Sequence, residues 1–168
     1  MASAVKETYA ASSALTITLA SLASDTNLLA GRESAAWDNT SNVYLDLYVS
    51  AKITAGTSPT VSTTIEVWSV AVLDDTPTWP DAFAGADANI SATSRNVLFS
   101  AAVLIRAITV DATSNRVYSL RPTSIAKLYG DFLPLKGSIW VVHNTAVALN
   151  ATGGNHVVSI KPIYATVG

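Results

Sequence analysis

Val43-Tyr44-Leu45-Asp46-Leu47-Tyr48-Val49-Ser50-Ala51-Lys52-Ile53-Thr54 alternates over its whole length. Val43, Leu45, Leu47, Val49, Ala51 and Ile53 fall on one face; Tyr44, Asp46, Tyr48, Ser50, Lys52 and Thr54 fall on the other. Side chains that change face at every residue mark a strand buried on one side. The alternation therefore turns Leu45, Leu47 and Val49 toward a core. The chain around it is 49% hydrophobic and only 13% charged, about half the charged share of an ordinary soluble domain at roughly 25%. So few charges predict that much of the second sheet face is kept from water, as in a subunit built to be assembled.

Seven further segments read as strands: Leu15 to Leu22, Leu28 to Trp37, Thr64 to Leu73, Val97 to Val110, Arg116 to Leu120, Ser138 to His143 and His156 to Thr166. Turn-forming stretches separate them, among them Asp38-Asn39-Thr40-Ser41-Asn42, Gly56-Thr57-Ser58-Pro59-Thr60 and Asn150-Ala151-Thr152-Gly153-Gly154-Asn155. Eight strands predict an all-β, jelly-roll-like β-sandwich with antiparallel pairing. At 168 residues the chain suits a single core. The small, polar first dozen residues are expected to form a mobile N-terminal arm (1–12), ahead of one sandwich domain (13–168).

Two stretches depart from this pattern. Thr76 to Ser94 holds Pro77, Pro80 and Gly85 and is too irregular for a strand, which makes it a functional excursion or a crossing between sheets. Ser124 to Tyr129 predicts a short helical turn, with Thr123 as N-cap and Gly130 as terminator. Val97 to Val110 is apolar on both faces, so either a loop such as Thr76 to Ser94 covers its outer face or another subunit does. Trp79, Pro80, Phe83, Leu98, Leu104 and Ile108 are the interface candidates on these grounds. Trp79, in an exposed-looking loop, leads them.

The ionisable residues fit no catalytic template. Ser, Asp, His143 and His156 are present, but no Gly-x-Ser-x-Gly elbow accompanies them. His143 is expected to be a hydrogen-bonded structural residue and His156 to be solvated. Asp74, Asp75, Asp81 and Asp87 fall near one loop without the spacing of a calcium-binding loop, so no metal or other cofactor is expected. Glu33 and Glu66 are the Glu residues in strand segments; alternation with Thr64 and Trp68 puts Glu66 on an exposed face, and both read as structural rather than as a glycosidase pair. Trp68, Trp79, Trp140, Tyr44 and Tyr48 suit either a sugar-stacking platform or core and interface packing. The formal net charge of -2, with scattered Lys and Arg, offers no field for a phosphate backbone, so no nucleic-acid partner is expected. Apolar runs stop well short of the roughly 20 residues of a spanning helix, and no membrane partner is expected. With no Cys, no disulfide supports the fold. The first residues lack a secretory pattern, which predicts synthesis in the cytoplasm.

Glu33-Ser34-Ala35-Ala36-Trp37-Asp38-Asn39-Thr40-Ser41-Asn42, Gly56-Thr57-Ser58-Pro59-Thr60, Asp75-Thr76-Pro77-Thr78-Trp79-Pro80-Asp81, Leu133-Pro134 and Val141 to Asn150 resemble stretches of small structural proteins of tailed bacteriophage virions. The resemblance implies a non-enzymatic sandwich subunit present in many copies, of the capsid decoration or cement kind. It implies the major capsid protein or other virion subunits as partners, self-association with a trimer favoured, and residence in the virion. A tail or receptor-binding module that recognises cell-surface carbohydrate is the alternative.

Overall fold

The computed structural model describes residues 5–167. In chain order these form β1 (Val5–Tyr9), β2 (Ser13–Ala14), β3 (Ala30–Glu33), β4 (Trp37–Asp38), β5 (Asp46–Thr54), β6 (Thr64–Val72), β7 (Ala88–Ser91), α1 (Arg95–Ala101), β8 (Ala102–Thr109), β9 (Val117–Ser124), β10 (Lys136–His143) and β11 (Val157–Val167). One sheet runs β1-β11-β5-β9 with β2 beside β11; the other runs β7-β3-β10-β6-β8 with β4 beside β10. Without β2, β4 and β7, eight strands remain. The first pairs with the last (β1 with β11), the second with the seventh (β3 with β10), the third with the sixth (β5 with β9) and the fourth with the fifth (β6 with β8), all antiparallel. That nesting is one long hairpin wrapped into two sheets, the jelly-roll order. The expected all-β sandwich is the observed one.

The core between the sheets is built by alternation. Leu47, Val49, Ala51 and Ile53 of β5 meet Ile65 and Val67 of β6 and Ile139 and Val141 of β10 in one cluster. The other faces of β6 and β10 are not open to water. Trp68, Val70, Trp140 and Val142 build a second cluster, closed by Phe83 and Ile90 from the β6 to β8 excursion and by Leu98 of α1. Strands buried on both sides carry apolar residues on both faces, as Ile139 to Val142 does without interruption and Ile65 to Val72 does apart from Glu66 and Ser69. Much of the scarcity of charge thus reflects a second core inside one chain.

Several expectations are corrected. Val5 to Tyr9, expected within a mobile arm, is the first strand of the wrap, with Val5 opposite Val167 and Tyr9 opposite Ile163; residues 1–4 of the expected arm lie outside the described residues. Leu15 to Leu22, expected as that first strand, has no ladder partner among the described residues. Its alternation is real, since Leu15, Ile17 and Leu19 all pack on the main core. The backbone, however, is satisfied piecemeal: Leu15 N–H by the Val158 carbonyl, Thr18 N–H by the Asp87 carboxylate and Ser21 N–H by the Asn150 carbonyl. Periodicity reports burial, not pairing.

Val97 to Val110 is helix first and strand second. Ser94 caps α1 by accepting the Val97 N–H at 3.2 Å, in the usual manner of an N-cap hydroxyl. An irregularity opposite Val67 and Trp68 in the β6–β8 ladder turns Leu104 to the outer cluster and Ile108 to the inner one. The short helix at Ala126–Tyr129 ends, as expected, on Gly130 at φ 78°, but Ser124 rather than Thr123 supports its start, by accepting the Lys127 N–H. The alternating stretch begins later than it reads: Val43 sits at φ 49° inside a turn held by Asn39, whose side chain bonds both the N–H and the carbonyl of Tyr44. Leu45 therefore lies outside the ladder and is 47% exposed, while Leu47 is 1% exposed.

Leu47→Ala should cost about 2 to 5 kcal/mol, and Leu45→Ala less than about 0.5 kcal/mol, in urea unfolding followed by near-ultraviolet circular dichroism. Equal losses would contradict this placement. Val43→Asn should raise stability by about 1 kcal/mol, because Asn tolerates the left-handed backbone that a β-branched residue resists.

Candidate functional site

The two strand glutamates clasp the outer face of the six-stranded sheet. Glu33, on β3, is buried and accepts three bonds: the N–H of Ala84 at 2.9 Å, the N–H of Gly85 at 2.8 Å and the Ser138 hydroxyl at 2.7 Å. It ties the excursion to β10 through neutral donors. Glu66, expected on an exposed face, is buried as well. It does share its face with Trp68, but α1 lies over that face: Arg95 donates to Glu66 Oε2 at 2.7 Å and to Oε1 at 3.1 Å. The Trp68 indole N–H reaches Oε2 at 2.9 Å. The Arg95 guanidinium also lies 5.3 Å from the Trp68 ring and 5.1 Å from that of Phe99, within cation–π range. Both carboxylates have their oxygens engaged in holding the fold.

The histidines close the other end of the sandwich. His143 is buried; its Nε2 donates to the Leu22 carbonyl at 3.0 Å, and Nδ1 lies 2.9 Å from the Thr145 hydroxyl. Burial pushes its pKa below the ordinary value, against the Leu22 bond that raises it. His156, expected to be solvated, is half-buried: Nδ1 accepts the Thr54 N–H at 3.3 Å and Nε2 donates to the Asn150 carbonyl at 2.8 Å. These bonds pin the Asn150 loop beside β5.

The four loop aspartates are not brought together. Asp87 accepts from Thr18 N–H, Thr18 hydroxyl and Arg32 Nε at 2.9, 2.7 and 2.6 Å, and Asp81 accepts from Thr93 N–H and hydroxyl. Asp74 and Asp75 are exposed. Among the described residues no three His, Asp or Glu side chains gather in a metal-binding group.

The interface candidates mostly serve the internal cover. Leu98 is fully buried and Phe83 nearly so, its ring edge-on to Trp140 at 5.8 Å; neither presents a surface to a partner. Trp79 is half-buried against Gly85, where a Cβ would lie 2.2 Å from its ring and the backbone φ is +63°. Pro80 is half-buried, and its carbonyl accepts the Phe83 N–H. Leu104 and Ile108 are half-buried on opposite faces of β8 and make no common stripe. Trp68 and Trp140 are fully buried and offer no sugar platform.

Exposed apolar and aromatic side chains gather elsewhere. Leu73 at 59% and Phe132 at 48% exposure rim a hollow of about 220 Å³ with Ala71, Val72, Tyr129 and Pro134. Leu73 ends an apolar strand run and Phe132 follows the Gly130 turn; only the fold joins them. A second hollow, about 320 Å³, lies on the outer face of the five-stranded sheet between Tyr9, Tyr48, Ser50, Pro122, Ser159 and Lys161. No protein-family model matches the chain, and a search of curated proteins finds no relative.

Asp87 supplies a test of the polar stitching. Burial raises its pKa, but Arg32 and Thr18 outweigh burial and hold it at about 2, against 3.8 for a free carboxyl. A folded value below the unfolded one gives stability that is complete above about pH 3.8 and is lost as the pH falls through about 2. The shift corresponds to about 2 kcal/mol, so Asp87→Asn should cost that much at pH 7 and far less near pH 2. His143 acts in the same direction but from a higher pH: with its folded pKa depressed, the unfolded chain binds the extra proton, and stability should fall as the pH drops below about 6.5. Urea midpoints at pH 5 and pH 7.5 that differ in wild type and converge in His143→Gln would show it.

Proposed function

We propose that the protein is a non-enzymatic virion structural subunit, a capsid cement or decoration protein that stabilises the head by bridging neighbouring capsid proteins. The observation that carries this reading is the hollow of Leu73 and Phe132. The buried acids and His143 are committed to internal bonds, while these two large apolar side chains stand in water beside each other at one end of the sandwich. Exposed apolar groups gathered around a concavity are costly in isolation and gain about 25 cal/mol per Å² when covered. Repetition of the contact around a shell multiplies a modest single affinity. The resemblance of the turn-rich stretches to virion proteins supports the same reading, with the major capsid protein as partner, a trimer as the favoured self-association and the virion as location.

The alternative, a tail or receptor-binding module for cell-surface carbohydrate, is favoured by the hollow between Tyr9 and Tyr48. Two phenol rings beside Ser50, Ser159 and Lys161 combine stacking faces with hydroxyl and ammonium donors.

Pelleting of the purified protein with capsids assembled without it separates the readings. Wild-type protein should co-sediment, and Leu73→Asp with Phe132→Asp should weaken the association at least about tenfold, equivalent to about 1.4 kcal/mol, with the melting temperature unchanged. Full binding by this double variant would remove the hollow from the contact. Failure of the wild type to bind, together with glycan binding that Tyr48→Ala abolishes, would favour the alternative.

A further inference from the structure

We propose that β1 is an exchangeable strand, which in the assembled protein leaves its own β11 and pairs with β11 of a second copy. This deepens the assembly reading and rests on it. The argument starts at Pro162. β1 and β2 lie along the same side of β11, but their registers differ by one residue: Tyr9 faces Ile163, whereas Ser13 faces Ile160. Ala10, Ala11 and Ser12 thus span only Lys161 and Pro162. The Pro162 carbonyl accepts the Ala10 N–H at 2.9 Å, but proline has no N–H to return. The ladder is cut there into a two-residue piece that stays and a five-residue piece beyond a hinge of small residues.

The outer piece is weakly held. Each of the other seven strands of the wrap places at least one side chain in the buried interior, whereas four residues of β1 are exposed and Thr8 is half-buried. Val5 is 72% and Tyr9 62% exposed. Apart from the ladder, its tethers among the described residues are the Thr8 and Thr166 hydroxyls at 3.1 Å, the Thr166 hydroxyl donating to the Lys6 carbonyl at 3.3 Å, and Lys161 Nζ at 5.8 Å from the Tyr9 ring.

Transfer to another copy therefore remakes the same ladder and removes nothing from either core. Exchange of an identical element is a low-cost route to association, and a short hinge favours it. In a closed ring every β11 gives up one strand and receives one, so no β11 edge is left bare. A second copy is the fitting occupant because it carries the side chains already in register with β11, Lys6 opposite Thr166 and Glu7 opposite Ala165.

The chain has no Cys, so a cross-link reports the pairing directly. Glu7 and Ala165 are directly opposite and both exposed, within disulfide reach for facing strand residues. The double variant Glu7→Cys/Ala165→Cys, assembled and then oxidised, should shift from one chain mass to multiples of it on a non-reducing gel. Single variants Glu7→Cys and Ala165→Cys, co-expressed, should give a disulfide joining positions 7 and 165 of different chains, identified by peptide mass. Lys6→Cys with Thr166→Cys repeats the test if the first pair impairs folding. A double variant that closes only within one chain, with no 7–165 link between the single variants, overturns exchange. If that protein still sediments as an oligomer or binds capsids, the assembly reading survives; if it does neither, both fall.

Discussion

The rest of the structure depends on burying the six-stranded sheet on both faces. β6 and β10 carry Ile65, Val67, Ile139 and Val141 inward and Trp68, Val70, Trp140 and Val142 outward. Two indoles in water would forfeit several kilocalories, at about 25 cal/mol per Å² over roughly 150–250 Å² each. An ordinary sandwich leaves the outer face wet; here the excursion after β6 and helix α1 must close over it. That requirement accounts for the length of the Thr76 to Ser94 stretch, for the helix at Arg95, and for two buried carboxylates.

The carboxylates act differently because their donors differ. Glu66 meets a guanidinium that is itself stacked on two rings, so the pair is hydrogen-bonded, oriented and only partly desolvated on the arginine side. Glu33 meets two peptide N–H groups and a hydroxyl, without a cation. Charge-assisted bonds of this kind are about twice as strong as neutral ones, yet desolvation takes back much of the gain. What they add is placement. An apolar cover can slide over an apolar sheet, whereas Glu33 fixes Ala84 and Gly85 to β10 and Glu66 fixes α1 to β6. The packing has a cost: the indole N–H groups of Trp37 and Trp140 are buried without a protein partner among the described residues, each a penalty of about 1 to 3 kcal/mol, with the rings pressed on Gly137 and Gly31.

Where one physical signal decided the structure, the sequence was legible. The period of two between Asp46 and Thr54, the strands read at Thr64 to Leu73 and Ser138 to His143, and the Gly130 terminator all stand where the residues place them. Leu15 to Leu22 misled because an arch and a strand bury the same alternate residues, and only the missing ladder tells them apart. Val97 to Ala101 misled because a short apolar run suits helix and strand equally, and Ser94 alone is a weak cap signal. The role of Glu66 was hidden for another reason: that it shares a face with Trp68 is legible, but that this face is buried is not, because the residue that covers it lies 29 positions away. The Leu73 and Phe132 hollow had no local signature, since it joins a strand end to a turn distant in the chain.

The two cores also change what the composition says about association. Few charges and many apolar residues first suggested a face left bare for neighbours, yet most of that apolar surface lies under the chain's own cover. Apart from single residues such as Phe99 on α1 and Val43 and Val61 in turns, the exposed apolar side chains that stand together sit at the margins: Leu73 and Phe132 at one end, Val5 and Val167 side by side at the β1–β11 edge. Margins suit a subunit that meets neighbours along lines rather than across a broad sheet face. The strand edges show the same restraint, with Lys6 and Glu7 on β1, Arg106 on β8 and Arg121 followed by Pro122 on β9. Charged residues and proline on edges oppose indiscriminate pairing with foreign strands. A copy of β1 already satisfies the pattern of β11, so pairing between like chains escapes a restraint that holds against other strands.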